Sequence, residues 1–128
     1  VAWYLDTSAF LKLVAAEAES TAMREWFRSH TPVWSSQLLL TEAWRAAIRL
    51  DLPDDVVEAA LATIWTVLPS ATTFYAAGRL SPPVLRSLDA IHLATALEMG
   101  ADLEGVVGYD ERLIAAAKSH GLPVVSPA

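Results

Sequence analysis

Cysteine is absent from the 128 residues, so the chain can form neither a disulfide nor a thiolate metal site. Basic side chains are scarce: nine Lys and Arg stand against fifteen Asp and Glu, for a net charge of −6. That balance excludes a general basic field for holding nucleic acid. It leaves open a site where gathered acids attract cations that in turn meet phosphate. The longest uncharged stretches, Leu61 to Gly78 and Thr31 to Thr41, are interrupted by prolines, threonines and other polar residues, so neither reads as a membrane span. There is no basic-then-apolar leader ending in a cleavage site. These absences predict a soluble, cytoplasmic protein with no membrane partner. Apolar residues make up 54% and charged residues 19%, which excludes a disordered chain. The length suits one domain, residues 1–128.

Short apolar runs alternate with helical periodicity along the chain. Val1 to Leu5 reads as a buried strand closed by Asp6-Thr7-Ser8, followed by helical composition from Ala9 to Ala16. Ser20 is a candidate N-cap for a helix ending near His30, before Pro32. Val33-Trp34-Ser35 is a candidate strand, and Leu40, Trp44, Ala47 and Ile48 recur at helical spacing within Gln37 to Leu50. Pro53 with Asp54 and Asp55 opens a helix expected to run to about Val67. Ser70 to Ser81 is read as a helix around Phe74 to Leu80. Ser87 is expected to cap a helix from Leu88 to Met99 that Gly100 stops. Gly105 to Gly108 reads as a strand before a turn at Tyr109-Asp110. A helix ending at His120 and Gly121 precedes a last strand at Pro123-Val124-Val125. The alternation predicts an α/β fold with a mostly parallel sheet.

In such sheets ligands bind at the carboxyl ends of the strands, near the switch in strand order. Asp6 follows the first strand and Asp110 follows Val106-Val107, so two central strands would bring both carboxylates to one edge. Glu42 and Asp89 lie near helix starts among apolar neighbours, where a carboxylate is costly to bury unless it is paired or bound to metal. Carboxylate oxygens and water are what hard divalent cations prefer. Each acid also has a purely structural role open to it. Asp6 and Asp110 can cap the helices that follow them. Glu42 can pair with Arg45 three residues on, and Asp89 can favour its helix N-terminus beside Arg86 or His92. Taken singly, these readings compete with the metal site.

Four blocks in order join the acids: Tyr4-Leu5-Asp6-Thr7-Ser8-Ala9, Leu40-Thr41-Glu42-Ala43-Trp44-Arg45, Arg86-Ser87-Leu88-Asp89-Ala90-Ile91-His92-Leu93-Ala94-Thr95-Ala96, and Tyr109-Asp110-Glu111-Arg112-Leu113. Over nearly the whole chain they resemble the PIN-domain ribonucleases, and specifically the VapC-type toxins of VapBC toxin–antitoxin pairs. The third block is the most specific. The resemblance implies a three-layer α/β/α domain with the acids at Asp6, Glu42, Asp89 and Asp110. It further implies Mg²⁺ or Mn²⁺, RNA as substrate with 5′-phosphate and 3′-hydroxyl products, a homodimer, and a VapB-type antitoxin whose extended tail covers the site. One departure is visible: the family often carries Thr or Ser two residues before the last acid, where this chain has Gly108.

The expected reaction is hydrolysis of an RNA phosphodiester by metal-activated water. Asp6 and Asp89 are the expected metal ligands, Glu42 a ligand or a holder of water, and Asp110 the completion of the cluster. Ser8 is available as a hydroxyl beside Asp6. Arg45 and Arg86 are candidates to contact RNA phosphate or to balance the acids. His92 is read as a helical histidine bonded to a neighbour or lining the core, with a catalytic base the lesser alternative, since metal-activated water needs no imidazole. Two other readings, one an enzyme and one a signalling domain, fit worse. An aspartyl phosphatase needs a second Asp where Ser8 stands, and a receiver domain needs a late Lys after a strand, whereas Lys118 lies within the last helix. The non-enzymatic alternative is a PIN-like module that binds RNA or a partner without cutting.

Overall fold

The computed structural model describes residues 1–128. Five short strands carry the middle layer: β1 (Ala2–Leu5), β2 (Val33–Ser36), β3 (Trp65–Val67), β4 (Leu103–Val107) and β5 (Val124–Val125). They lie side by side in the order β3-β2-β1-β4-β5, and every pairing is parallel. The chain moves outward from β1 through β2 to β3, then crosses back to β4 and out to β5. Crossovers of one hand place connections running in opposite directions on opposite faces. Accordingly α1 (Thr7–Val14), α2 (Ser20–Ser29), α3 (Leu38–Leu50) and α4 (Asp54–Leu61) cover one face, while α6 (Ser87–Glu98) and α7 (Glu111–Ser119) cover the other. α5 (Ala71–Gly78) packs on α6 through Ala77, Ala90 and Ala94. The result is a three-layer α/β/α domain.

Strand alternation divides the core. Leu5 and Val107 point to the first face and join Phe10, Met23, Leu39 and Val57. Tyr4 and Val106, one residue earlier on each strand, point to the second face and join Leu93 and Leu113. The register pairs Tyr4 with Val106 and Leu5 with Val107, so β1 and β4 end level with each other. Gly105 lies inside β4 because a β-carbon there would meet the Trp3 ring and the Pro123 carbonyl, each at 2.6 Å.

Three local expectations need correction. The helix opened by Pro53 ends at Leu61, not near Val67, and the chain turns into β3. The Thr63 hydroxyl donates to the Ala60 carbonyl at 2.6 Å across that turn, and Trp65-Thr66-Val67, aromatic and β-branched, pair with β2. Ile64 sits at helical spacing from Leu61 and so prolongs the helical pattern past the real end. Neither Ser20 nor Ser87 caps its helix; each is the first helical residue. Ser20 instead accepts the Glu17 N–H and donates to the Ala15 carbonyl, tying α1 to α2. The helix expected around Phe74 to Leu80 is α5, which spans Ala71–Gly78 because a capping box between Ser70 and Thr73 begins it earlier. Gly100 and Gly121 adopt positive φ after α6 and α7, as their expected role of helix stops requires.

Candidate functional site

β1 and β4 are adjacent at the point where strand order reverses, so Asp6 and Asp110 leave the sheet at one edge. Asp6 is 2% exposed. Its Oδ1 accepts the Ser8 hydroxyl at 2.6 Å and the Ala9 N–H at 2.9 Å, so it does cap α1. Those bonds turn the rest of the carboxylate over Gly108, where a β-carbon would fall 2.6 Å from Oδ2. Gly108 is therefore the space that Asp6 uses, and a hydroxyl side chain there would collide with it. Burial pushes the Asp6 carboxyl up to about 6, against the Ser8 and Ala9 hydrogen bonds and the nearby His92 ring, with Asp110 adding to the rise. Ser8 also accepts the Tyr109 N–H at 2.8 Å, which fastens the end of β1 to the loop carrying Asp110.

Asp110 caps α7 by accepting the Leu113 N–H at 2.9 Å. Glu42, near the start of α3, makes no bridge to the exposed Arg45. Its Oε1 instead takes the Thr7 hydroxyl at 2.7 Å and His92 Nε2 at 2.6 Å. Burial acts to raise the Glu42 carboxyl, but the hydrogen bonds from His92 and Thr7 outweigh it and hold the group below its ordinary range. Asp89, in the first turn of α6, is half-buried and has no ion-pair partner within 4 Å. Burial and then the Asp110 charge raise its carboxyl; Glu42 adds to this, while His92 and Arg86 oppose it.

Asp110 thus acts on both Asp6 and Asp89, and Glu42 acts on Asp89, along one edge of the sheet. As they stand, no three Asp, Glu or His side chains are grouped closely enough to hold an ion alone. Their donor chemistry fits a hard cation that keeps part of its water shell and takes one or two carboxylates, the habit of Mg²⁺. Asp6 Oδ2 makes no hydrogen bond to protein, and the Asp89 carboxylate has no cationic partner.

Beside the acids, an open cavity of about 340 Å³ is lined by Arg86, Tyr109, Asp110, Glu111 and Arg112. None of the seven arginines of the chain is ion-paired. A larger cavity of about 460 Å³ lies along α5 and α6, among Phe74, Ala77, Leu80, Leu85 and Ile91, and no acid lines it. Sequence reasoning missed Tyr4, Thr7 and Arg112. Thr7 stood next to Asp6, but nothing local aimed it at a residue 35 positions away.

Residues 3–119 match the family described as PIN domain, and the chain belongs to that family. Within it, the chain groups with proteins named VapC. It is 42% identical over 127 residues to Ribonuclease VapC46 of Mycobacterium tuberculosis (strain ATCC 25618 / H37Rv), covering 97% of this chain and 96% of that one. To Ribonuclease VapC35 of M. tuberculosis (strain CDC 1551 / Oshkosh) it is 40% identical over 129 residues, with the same coverage. The crystal structure of M. tuberculosis VapC20, described as a sarcin-ricin loop cleaving toxin, superposes with a TM-score of 0.78, covering 98% of this chain and 99% of that one. At 21% identity this last likeness shows the fold.

Proposed function

We propose that the chain is a metal-dependent endoribonuclease acting as the toxin of a toxin–antitoxin pair. The observation that carries this is the departure of Asp6 and Asp110 from the carboxyl ends of the paired strands β1 and β4, with Asp89 under the charges of Asp110 and Glu42. The names of the VapC relatives supply the substrate class, RNA.

Asp6 and Asp89 would hold the cation, the Asp6 Oδ2 being free of hydrogen bonds to protein. When bound, Mg²⁺ or Mn²⁺ supplies an activated water and neutralises charge on the phosphate. Glu42 orients water at the scissile phosphate through the oxygen not taken by Thr7 and His92. Asp110 keeps the edge acidic while it caps α7. Arg86 and Arg112 bind the phosphates that flank the scissile bond, and Arg45 is a more distant contact of the same kind. The cognate VapB-type antitoxin and a second copy of the chain are the expected partners, and sedimentation of the purified chain tests the homodimer.

The test is incubation of purified protein with total RNA and Mg²⁺ or Mn²⁺, with and without EDTA, beside Asp6→Asn. Discrete cleavage that both EDTA and the substitution remove is the expected result. Asn at this position still accepts the Ala9 N–H, so the variant folds. Full activity in folded Asp6→Asn protein would sink the assignment. Folded protein that binds RNA without cutting it would instead support the non-cleaving module.

A further inference from the structure

Behind Glu42 runs a buried hydrogen-bonded chain that the nuclease reading does not itself require. Tyr4 is 1% exposed and His92 2% exposed. The Tyr4 phenol oxygen lies 2.7 Å from His92 Nδ1 and accepts the backbone N–H of Ser36 at 3.1 Å. The ionised Glu42 carboxylate can only accept, so the ring proton beside it stands on Nε2; a backbone N–H can only donate, which leaves the phenol proton free for Nδ1. Burial raises the Tyr4 phenol well above its ordinary range, which keeps that proton in place. Nε2 lies 2.6 Å from Glu42 Oε1. Thr7 donates to the same oxygen and lies 3.3 Å from Nε2.

We propose that His92 is a positioning residue for RNA cleavage: Glu42 and Tyr4 together fix its tautomer, and His92 with Thr7 grips Glu42 Oε1 so that only Oε2 is offered to the site. This rests on the ribonuclease reading. The chain draws on β1, the end of β2, α1, α3 and α6, which are elements that meet at the acidic edge. His92 stands one helical turn after Asp89, so the residue that grips one acid shares its helix with another. A histidine that only filled the core would need no carboxylate. This one reaches a Glu side chain still 21% exposed.

The experiment compares wild type, Asp6→Asn, His92→Leu, His92→Gln, Tyr4→Phe and Thr7→Val for kcat and KM on a cleaved RNA. Imidazole ¹⁵N shifts are recorded on the same proteins without metal. In folded His92→Leu, kcat falls about 10- to 100-fold with KM little changed, the usual consequence of losing a group that orients a site carboxylate. His92→Gln, whose amide N–H replaces that of Nε2, recovers most of the rate. The wild-type ¹⁵N spectrum shows the proton on Nε2, and Tyr4→Phe moves the Nδ1 shift as that nitrogen loses its phenol hydrogen bond. Wild-type kcat in folded His92→Leu, or ¹⁵N shifts unmoved by Tyr4→Phe, overturns the proposal. If His92→Leu fails to fold, the comparison of His92→Gln with Tyr4→Phe and Thr7→Val decides. A wild-type chain that cuts no RNA overturns the ribonuclease reading, while the ¹⁵N arm still tests the grip on Glu42.

Discussion

Asp6 is buried among groups that hydrogen-bond it yet do not neutralise it. Its carboxyl, raised from 3.8 to about 6, binds a proton more tightly in the folded chain than in the unfolded one. Stability from this group is therefore fully present below about pH 4 and is lost as pH rises through about 6, a swing of about 3 kcal/mol. In urea denaturation of metal-free protein, the stability of wild type relative to Asp6→Asn should fall across that window. Added Mg²⁺ should offset the loss at the upper end. Gly108→Ala drives a methyl against the Asp6 carboxylate, which Ser8 and Ala9 hold from the other side. Cleavage should drop sharply while circular dichroism stays native, and wild-type rates in that variant would show that Asp6 can move aside. In the sequence the acids drew notice through the four blocks that join them. Glu42 and Asp89 stand among apolar neighbours, whereas Asp6 and Asp110, each in a polar turn, read equally as helix caps, which both are. Tyr4 was not legible there, because its partner His92 lies 88 residues away and nothing in a strand tyrosine announces it.

Helix ends separate capping from chemistry. Asp110 does both in the proposed site, and Asn caps as well as Asp. Asp110→Asn should leave stability unchanged and lower cleavage. Asp110→Ala should lower cleavage too and cost about 1 kcal/mol more in denaturation. At α5 only the capping role is present: Ser70→Ala removes the capping box and should cost about 1 kcal/mol with no change in cleavage. The elements flanking the acids were readable because a strand, a polar turn and a helix follow one another within a few residues. β3 was not, since three residues on a sheet edge are too few to break a helical pattern that Ile64 prolongs. What makes them a strand is pairing with β2, where Trp34 and Trp65 stack 5.7 Å apart.

Across the whole molecule, a net charge of −6 coexists with seven unpaired arginines, two of them lining the cavity beside the acids. RNA affinity should accordingly depend only weakly on salt, because few phosphates are neutralised by side chains. Arg86→Ala and Arg112→Ala should each raise KM and reduce the salt slope by about 1, as loss of one phosphate contact does. Fluorescence titration at several salt concentrations checks this, and an unchanged slope would remove those arginines from the RNA path. The parallel order was legible from alternation alone. The adjacency of β1 and β4 was not, because strand order is settled by packing between segments far apart in the chain.

That adjacency also sets a timetable. Leu5 finds its neighbour only when Val107 has been made, so the first strand leaves the ribosome with one flank bare. Asp6 and Glu42 emerge early, but the edge they share with Asp110 does not yet exist. A chain stalled in synthesis before β4 should cut nothing, however long it waits. A protein that destroys RNA would in this way stay harmless to the message and the ribosome that are still producing it.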